Sequence, residues 1–140
     1  MSTLDKAIEI AVLAHAGQTR RNGTPYILHP IRVMLSQHTQ DQMIAAILHD
    51  VVEDTDTTLD DLRRAGFGDH ILSAISLLTH SDGTPYDDYI RRIAENPLAV
   101  SVKIADLEDN MNLRELPEVS ERDEKRSAKY HKAWRMLLGE

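Results

Sequence analysis

The run Ala45-Ala46-Ile47-Leu48-His49-Asp50-Val51-Val52-Glu53-Asp54 sets four ionisable side chains at the end of an apolar segment. Met43 to Leu48 is apolar on every side, the pattern of a helix buried all round. Burying charge is costly unless the charge is paired or binds a metal. At ~100° per residue, a helix running on to Glu53 puts His49 over Glu53, with Asp50 over the following Asp54. An imidazole beside a carboxylate suits a divalent metal, and two further carboxylates within reach suit acid/base work. The competing reading is a solvated helix end, which Glu53-Asp54-Thr55-Asp56 would also satisfy.

Other groups bear on the choice. His29 stands at a loop–helix junction among apolar neighbours, where a buried imidazole needs partners for both ring nitrogens and a metal can satisfy one. Asp106 is embedded between Ala105 and Leu107 in a segment rich in Val and Ile, so it is either paired in the interior, at a pocket rim, or on the wet face of an amphipathic helix. Asn110, four residues on, faces the same way, and Lys103 lies on nearly the same side. Arg20 and Arg21 open a loop and would suit a phosphate, whose oxygens match the guanidinium fork. His15, in a last helical turn, is read as a cation favoured by the helix dipole or as a group near a metal. His38 is expected to be exposed.

Composition narrows the classes. The 140 residues (1–140) are expected to form one domain with a real core. With no cysteine, disulfides, zinc–thiolate sites and cysteine nucleophiles are excluded, so a metal must sit on His and carboxylates. The formal charge of −7 argues against general nucleic-acid binding. No apolar run approaches the ~20 residues of a membrane span, and the start lacks the pattern of a signal peptide. A cytoplasmic location and no membrane partner are expected.

The elements that must position these groups all read as helices: Leu4 to Ala16, Leu28 to about Thr39, Asp41 to Glu53, Leu59 to Ala65, Asp69 to Thr79, Tyr86 to before Asn96, Leu98 to about Leu113, and Ser120 to Leu138. Pro30 suits a first turn, Thr58 with Asp61 resembles a capping-box variant, and Asp69 is expected to cap the helix that runs to Thr79. Leu28, Ile31, Val33 and Leu35 are the expected apolar side of the second helix. Gly-Thr-Pro-Tyr occurs twice, at Gly23 to Tyr26 and Gly83 to Tyr86, as two similar turns before two helices. The final helix, with Tyr130 and Trp134, covers its own bundle or meets a second subunit in a homo-oligomer. No segment alternates at period two, so the fold class is all-α.

Three pieces then line up in order: Ala14 to Arg20 running into Gly23 to Pro30; Leu48-His49-Asp50 to Thr55; and Lys103-Ile104-Ala105-Asp106 to Met111. Together they resemble the hydrolase domain of RelA/SpoT-type proteins, a branch of the HD-domain metal phosphohydrolases. The resemblance implies an all-α HD-domain helical bundle. It implies that His29, His49, Asp50 and Asp106 hold one divalent metal, typically manganese (Mn2+), with Glu53 and Asp54 as catalytic groups beside the attacking water. Arg20 and Asn110 match substrate-side positions, and Arg21 and Lys103 join them as candidate phosphate contacts. The implied reaction removes the 3′-pyrophosphate from guanosine tetra- or pentaphosphate, a phosphorylated nucleotide. With no room for the family's synthetase domain, a hydrolase-only protein of the small-alarmone-hydrolase type is expected. Where the family usually shows Arg-Leu-His-Asn-Met-Arg, this chain has Leu107-Glu108-Asp109-Asn110-Met111-Asn112. That exchange removes cations and adds acids, for which Arg91, Lys103 or Arg114 could compensate. It keeps open an HD hydrolase acting on another phosphorylated nucleotide, and a non-catalytic metal- or nucleotide-binding sensor.

Overall fold

The chain is described by a computed structural model over residues 2–112, 116 and 118–139. Arg114, Leu113 at the expected end of the seventh helix, and Pro117 lie outside the described residues. All regular structure among those described is helical, with one isolated antiparallel bridge between Thr19 and Pro25. Helix α1 spans Leu4–Ala14, α2 Leu28–Leu35, α3 Gln40–Leu48 and α4 Val51–Asp54. They are followed by α5 Leu59–Arg64, α6 Asp69–Leu78, α7 Tyr86–Ile93, α8 Pro97–Asn110 and α9 Glu121–Leu137. No helix among them is long and apolar enough to cross a membrane.

Side-chain caps set most helix starts. Thr3, Thr39, Thr58, Asn96 and Ser120 each accept a first-turn amide N–H, satisfying a donor the helix leaves unpaired. Thr39, Thr58 and Ser120 form reciprocal capping boxes with Gln42, Asp61 and Asp123. The Thr39 cap corrects the expected second helix: α2 stops at Leu35, and Thr39 begins the next element. Gly68, with extended backbone, caps α6 in place of the expected Asp69, which is its first residue. Pro97 opens α8, one residue ahead of the expected start at Leu98, as its fixed φ and missing N–H allow.

The larger correction concerns the central helix. It does not run to Glu53: α3 ends at Leu48, and His49 and Asp50 form a turn before the short α4. The reason is local competition for one acceptor. The Ala46 carbonyl, which in a continued helix would take the Asp50 N–H, is taken by the His49 N–H at 3.3 Å and the His49 ring Nδ1 at 2.5 Å. The tightened turn rotates His49 and Asp50 off the α3 register.

Helix α3 is the central element, packed on α1, α2, α6 and α8. Its residues Ala45 to Leu48 are fully buried together with Ile75, Ile90, Ile93, Val102 and Leu107 from α6, α7 and α8. Helix α9 lies over α7 and α8. The inward face of α2 is His29, Pro30, Val33 and Met34, whereas Leu35 points outward at 72% exposure. Replacing Ile47 by Ala should therefore destabilise the fold by about 2–5 kcal/mol, and Leu35→Ala by no more than about 0.5 kcal/mol. Urea unfolding of the two variants measures the difference.

Candidate metal centre

The helix ends bring four side chains to one point. His29 comes from the first turn of α2, His49 and Asp50 from the α3–α4 turn, and Asp106 from the middle of α8. One ligand atom from each lies within 4.8 Å of all the others. His29 Nε2 is 2.8 Å and His49 Nε2 3.2 Å from Asp106 Oδ1, and His49 Nε2 is 3.0 Å from Asp50 Oδ2. His29, His49 and Asp106 are buried, and Asp50 is largely so.

The far side of each ring decides what the near side can do. His49 Nδ1 faces the Ala46 carbonyl, and His29 Nδ1 faces Asp109 Oδ2 at 2.6 Å. Both partners only accept, so both Nδ1 atoms carry hydrogen and, in the neutral rings, both Nε2 lone pairs point at the cluster. Two imidazole nitrogens and two carboxylates suit a divalent ion and leave coordination positions for water and substrate. The donor set therefore fits a divalent metal.

Electrostatics tell the same story. Burial alone would lower the histidines, but for His49 the Asp50 and Asp106 carboxylates, and for His29 hydrogen bonds to Asp106 and Asp109, hold both above the usual range. Burial would raise Asp106 and Asp50, yet Lys103 and the two histidines hold Asp106 well down, and His49 with His29 holds Asp50 down. The cluster calls for positive charge at its centre.

A second group overlaps the first. Asp50, Glu53 and Asp54 also lie with ligand atoms within 4.8 Å of one another. Burial and the neighbouring carboxylates Asp50 and Asp54 raise Glu53, although the His80 N–H on Glu53 Oε1 (2.6 Å) opposes the shift. Asp54 is raised by burial and Asp50. Tyr26 hydroxyl donates to Asp50 at 2.5 Å and reaches Asp54 at 3.2 Å; burial and Asp50 keep its proton on far above the ordinary tyrosine range.

Two cavities flank these groups. One of about 250 Å³ contains the four clustered residues with Glu53, Asp54, Lys103 and Lys129. The other, about 270 Å³, is lined by Arg20, Arg21, Asn112 and Arg126. Tyr26, Asn110 and Tyr130 line both, so the two are contiguous. Arg20 donates to Asp109 Oδ2 and Asn110 Oδ1, each at 3.0 Å, and Arg21 pairs with Asp123 at the start of α9. Lys103 Nζ pairs with Asp106 Oδ2 at 2.8 Å. Arg91 is exposed and paired with Asp88, away from both cavities.

The altered segment on α8 takes on a different meaning in three dimensions. Leu107 is fully buried in the core, Glu108 is exposed beside Arg32, and Asp109 turns inward to His29, Arg20 and Arg32. Of the changed positions, Asn112 alone lines the cavities beside the cluster. Asp109, Tyr26 and His80 are the partners that sequence reasoning missed. Only Tyr26 carried a local signal, standing three residues before His29 in the turn that leads into α2. His15 is buried at 1% exposure, with Nδ1 on Gln18 Oε1 at 2.9 Å and its ring against Tyr26; it belongs to neither carboxylate cluster.

The model of the HD domain matches residues 7–140. The chain belongs to the HD-domain family. This HD domain is 36% identical over 131 residues to a probable GTP pyrophosphokinase of Mycobacterium leprae, covering 84% of the chain and 16% of that protein. It is 32% identical over 120 residues to a guanosine-3′,5′-bis(diphosphate) 3′-pyrophosphohydrolase of Aquifex aeolicus, covering 77% of the chain and 17% of the relative. It is 37% identical over 97 residues to the bifunctional (p)ppGpp synthase/hydrolase SpoT of Escherichia coli, covering 66% of the chain and 14% of that protein. The RelA/SpoT resemblance thus extends to sequence similarity over 66–84% of the chain, which spans about a sixth of these relatives. A solved structure described as a metazoan ortholog of SpoT that hydrolyzes ppGpp superposes with a TM-score of 0.76 at 23% identity, over 99% of this chain and 86% of that one. At that identity the match shows the all-α fold.

A divalent ion bound at this cluster would have to displace protons from His29 and His49, whose protonated forms the carboxylates favour. Because both histidines are raised, the competition extends above the ordinary pKa of about 6.5. Mn2+ affinity should therefore strengthen from about pH 6 to about pH 8, with net proton release. Calorimetric titration in two buffers of different ionisation enthalpy measures both, and a pH-independent affinity would exclude the histidines as ligands.

Proposed function

We propose that this chain is a single-domain, manganese-dependent phosphohydrolase that removes the 3′-pyrophosphate of guanosine 3′,5′-bis(diphosphate). The observation that carries the reading is the junction of the four-ligand cluster with a second, arginine-lined cavity. A ligand with a phosphate at the cluster and a nucleoside bearing further phosphates beside it fills both. Similarity to relatives named as that pyrophosphohydrolase and as a (p)ppGpp synthase/hydrolase supports this substrate.

His29, His49, Asp50 and Asp106 would hold the ion. A bound divalent ion polarises a phosphoryl oxygen and makes water a competent nucleophile near neutral pH. Glu53 and Asp54 border the same space, and their raised pKa values suit proton transfer to and from water. Water oxygen bonds to the 3′-linked phosphorus as the phosphorus–O3′ bond breaks; a carboxylate takes the water proton and the 3′ oxygen gains one. The products are GDP and pyrophosphate. Tyr26, which donates to Asp50 and lies within 3.2 Å of Asp54, bridges the two carboxylates. Lys103 and Lys129 neutralise phosphate charge, and Arg20, Arg21 and Asn110 face the nucleotide cavity. The partner is this small-molecule nucleotide in a cytoplasmic setting.

One observation favours a second reading. Arg20 already donates to Asp109 and Asn110, which ties up part of its fork. The same centre could then act on another phosphorylated nucleotide. Product analysis with Mn2+ and ppGpp decides: GDP with pyrophosphate supports the first reading, and no turnover in metal-loaded protein supports the second. Asp54→Ala should lower kcat by about 10²–10⁴-fold while Mn2+ binding persists. An Asp54→Ala protein with normal turnover would remove Asp54 from proton transfer.

A further inference from the structure

Asp109 occupies the position where the resembling family usually has histidine, and its surroundings are unusual for an acidic residue on a helix. Both carboxylate oxygens are engaged. Oδ2 accepts from His29 Nδ1 at 2.6 Å, Arg20 Nη1 at 3.0 Å and Arg32 Nη2 at 3.1 Å, and Oδ1 accepts from Arg32 Nε at 2.7 Å. Two cations thus fix the carboxylate before it meets the imidazole, and its side chain is only 11% exposed. Helix α8 holds His29 from both sides: Asp106 at Nε2 and, three residues on, Asp109 at Nδ1. The counterpart ring differs, because His49 Nδ1 is met by the neutral Ala46 carbonyl. The rings of Tyr26 and His49 stand edge-on to His29, at centroid distances of 5.8 and 5.5 Å.

We propose that Asp109, braced by Arg20 and Arg32, is the positioning residue that fixes the tautomer and orientation of His29 and strengthens it as a metal ligand. The inference rests on the metal-binding reading of the cluster. A carboxylate on the far nitrogen of a ligating histidine holds the ring in register and raises its basicity, and losing such a partner typically costs 10–100-fold in metal affinity. The acid at position 109 thus acts on the metal centre through His29, with its charge offset by two guanidinium groups.

The test compares chelator-stripped wild type, Asp109→Asn and Asp109→Ala by calorimetric titration with Mn2+. A ¹H–¹⁵N spectrum of the Zn2+-loaded wild type reads the His29 ring directly. Asp109→Ala should weaken Mn2+ binding about 10–100-fold, and Asp109→Asn less, since an amide oxygen still accepts from Nδ1. The His29 Nδ1 proton should appear far downfield in wild type and vanish in Asp109→Ala. Wild-type affinity in a folded Asp109→Ala protein overturns the proposal, even if its metal-free Tm falls, because a purely structural residue would behave that way. If Asp109→Ala does not fold, unchanged affinity in Asp109→Asn together with a His29 Nδ1 that carries no hydrogen in wild type overturns it equally. Wild type that binds no Mn2+ overturns the metal reading and this inference together, a result distinct from normal binding that ignores position 109.

Discussion

The buried carboxylate of Asp106 is the constraint on which the rest of the structure depends. At 4% exposure it must be compensated from within the protein. It receives His29 at 2.8 Å, His49 at 3.2 Å, Lys103 at 2.8 Å and Asn110 at 3.2 Å. These partners come from α2, the end of α3 and α8 itself, so the packing of three helices is tied to one charge. Removing one partner of a buried ion pair typically costs about 3–5 kcal/mol, because the remaining charge stays buried. With Asp50 alongside, two carboxylates face two ring nitrogens whose neutral forms would turn lone pairs toward oxygen. Protons on the histidines or a divalent cation relieve that conflict. The lowered carboxylates and raised histidines express this single requirement.

The same requirement explains why the site sits at the ends of elements. A continuous α3 would align His49 with Glu53 along one face. Instead the His49 ring takes the Ala46 carbonyl, the helix stops, and two functions separate. His49 turns into the interior toward Asp106, while Glu53 and Asp54 stay at the pocket side on α4. Asp50 belongs to both groups and joins the ligand cluster to the acid/base pair. The two Gly-Thr-Pro-Tyr turns serve the same pocket: Gly23 and Gly83 adopt left-handed backbone, and Tyr26 and Tyr86 each reach its lining.

Much of this was legible in the chain, and the failures have physical causes. Apolar periodicity located every helix but α4, which was read as the end of α3, and Thr58–Asp61 announced its own cap. Boundaries failed where a side chain overrode propensity: Thr39 starts α3 rather than ending α2, and His49 stops α3 without a glycine or proline. His29, His49, Asp50 and Asp106 stood out because ionisable residues amid Val, Ile and Leu demand partners. Asp109 did not, because an acid near the end of a charged run looks solvated. Its partners Arg20 and Arg32 are 89 and 77 residues away in sequence, beyond any local pattern. Leu107 misled in the opposite direction: a lost cation there looked like lost substrate contact, yet the side chain lies in the core.

Charge is therefore better read by address than by sum. The chain carries −7 overall, and α8 gains acids where the resembling family has bases. Asp109 spends its charge on Arg20, Arg32 and His29 rather than on the cavities. The cations lining those cavities are Lys103, earlier on α8, Arg20 and Arg21 from the loop after α1, and Arg126 and Lys129 from α9. Helix α9 is thus more than a cover for the bundle, since it supplies part of the wall that a phosphorylated ligand would meet. Its start is fixed by Asp123, which caps the helix through Ser120 and pairs with Arg21. The loop that follows α1 and the helix that ends the bundle are in this way locked to each other across the arginine-lined cavity, and the shape of that cavity is set by the same kind of compensated carboxylate that organises the cluster of His29, His49, Asp50 and Asp106.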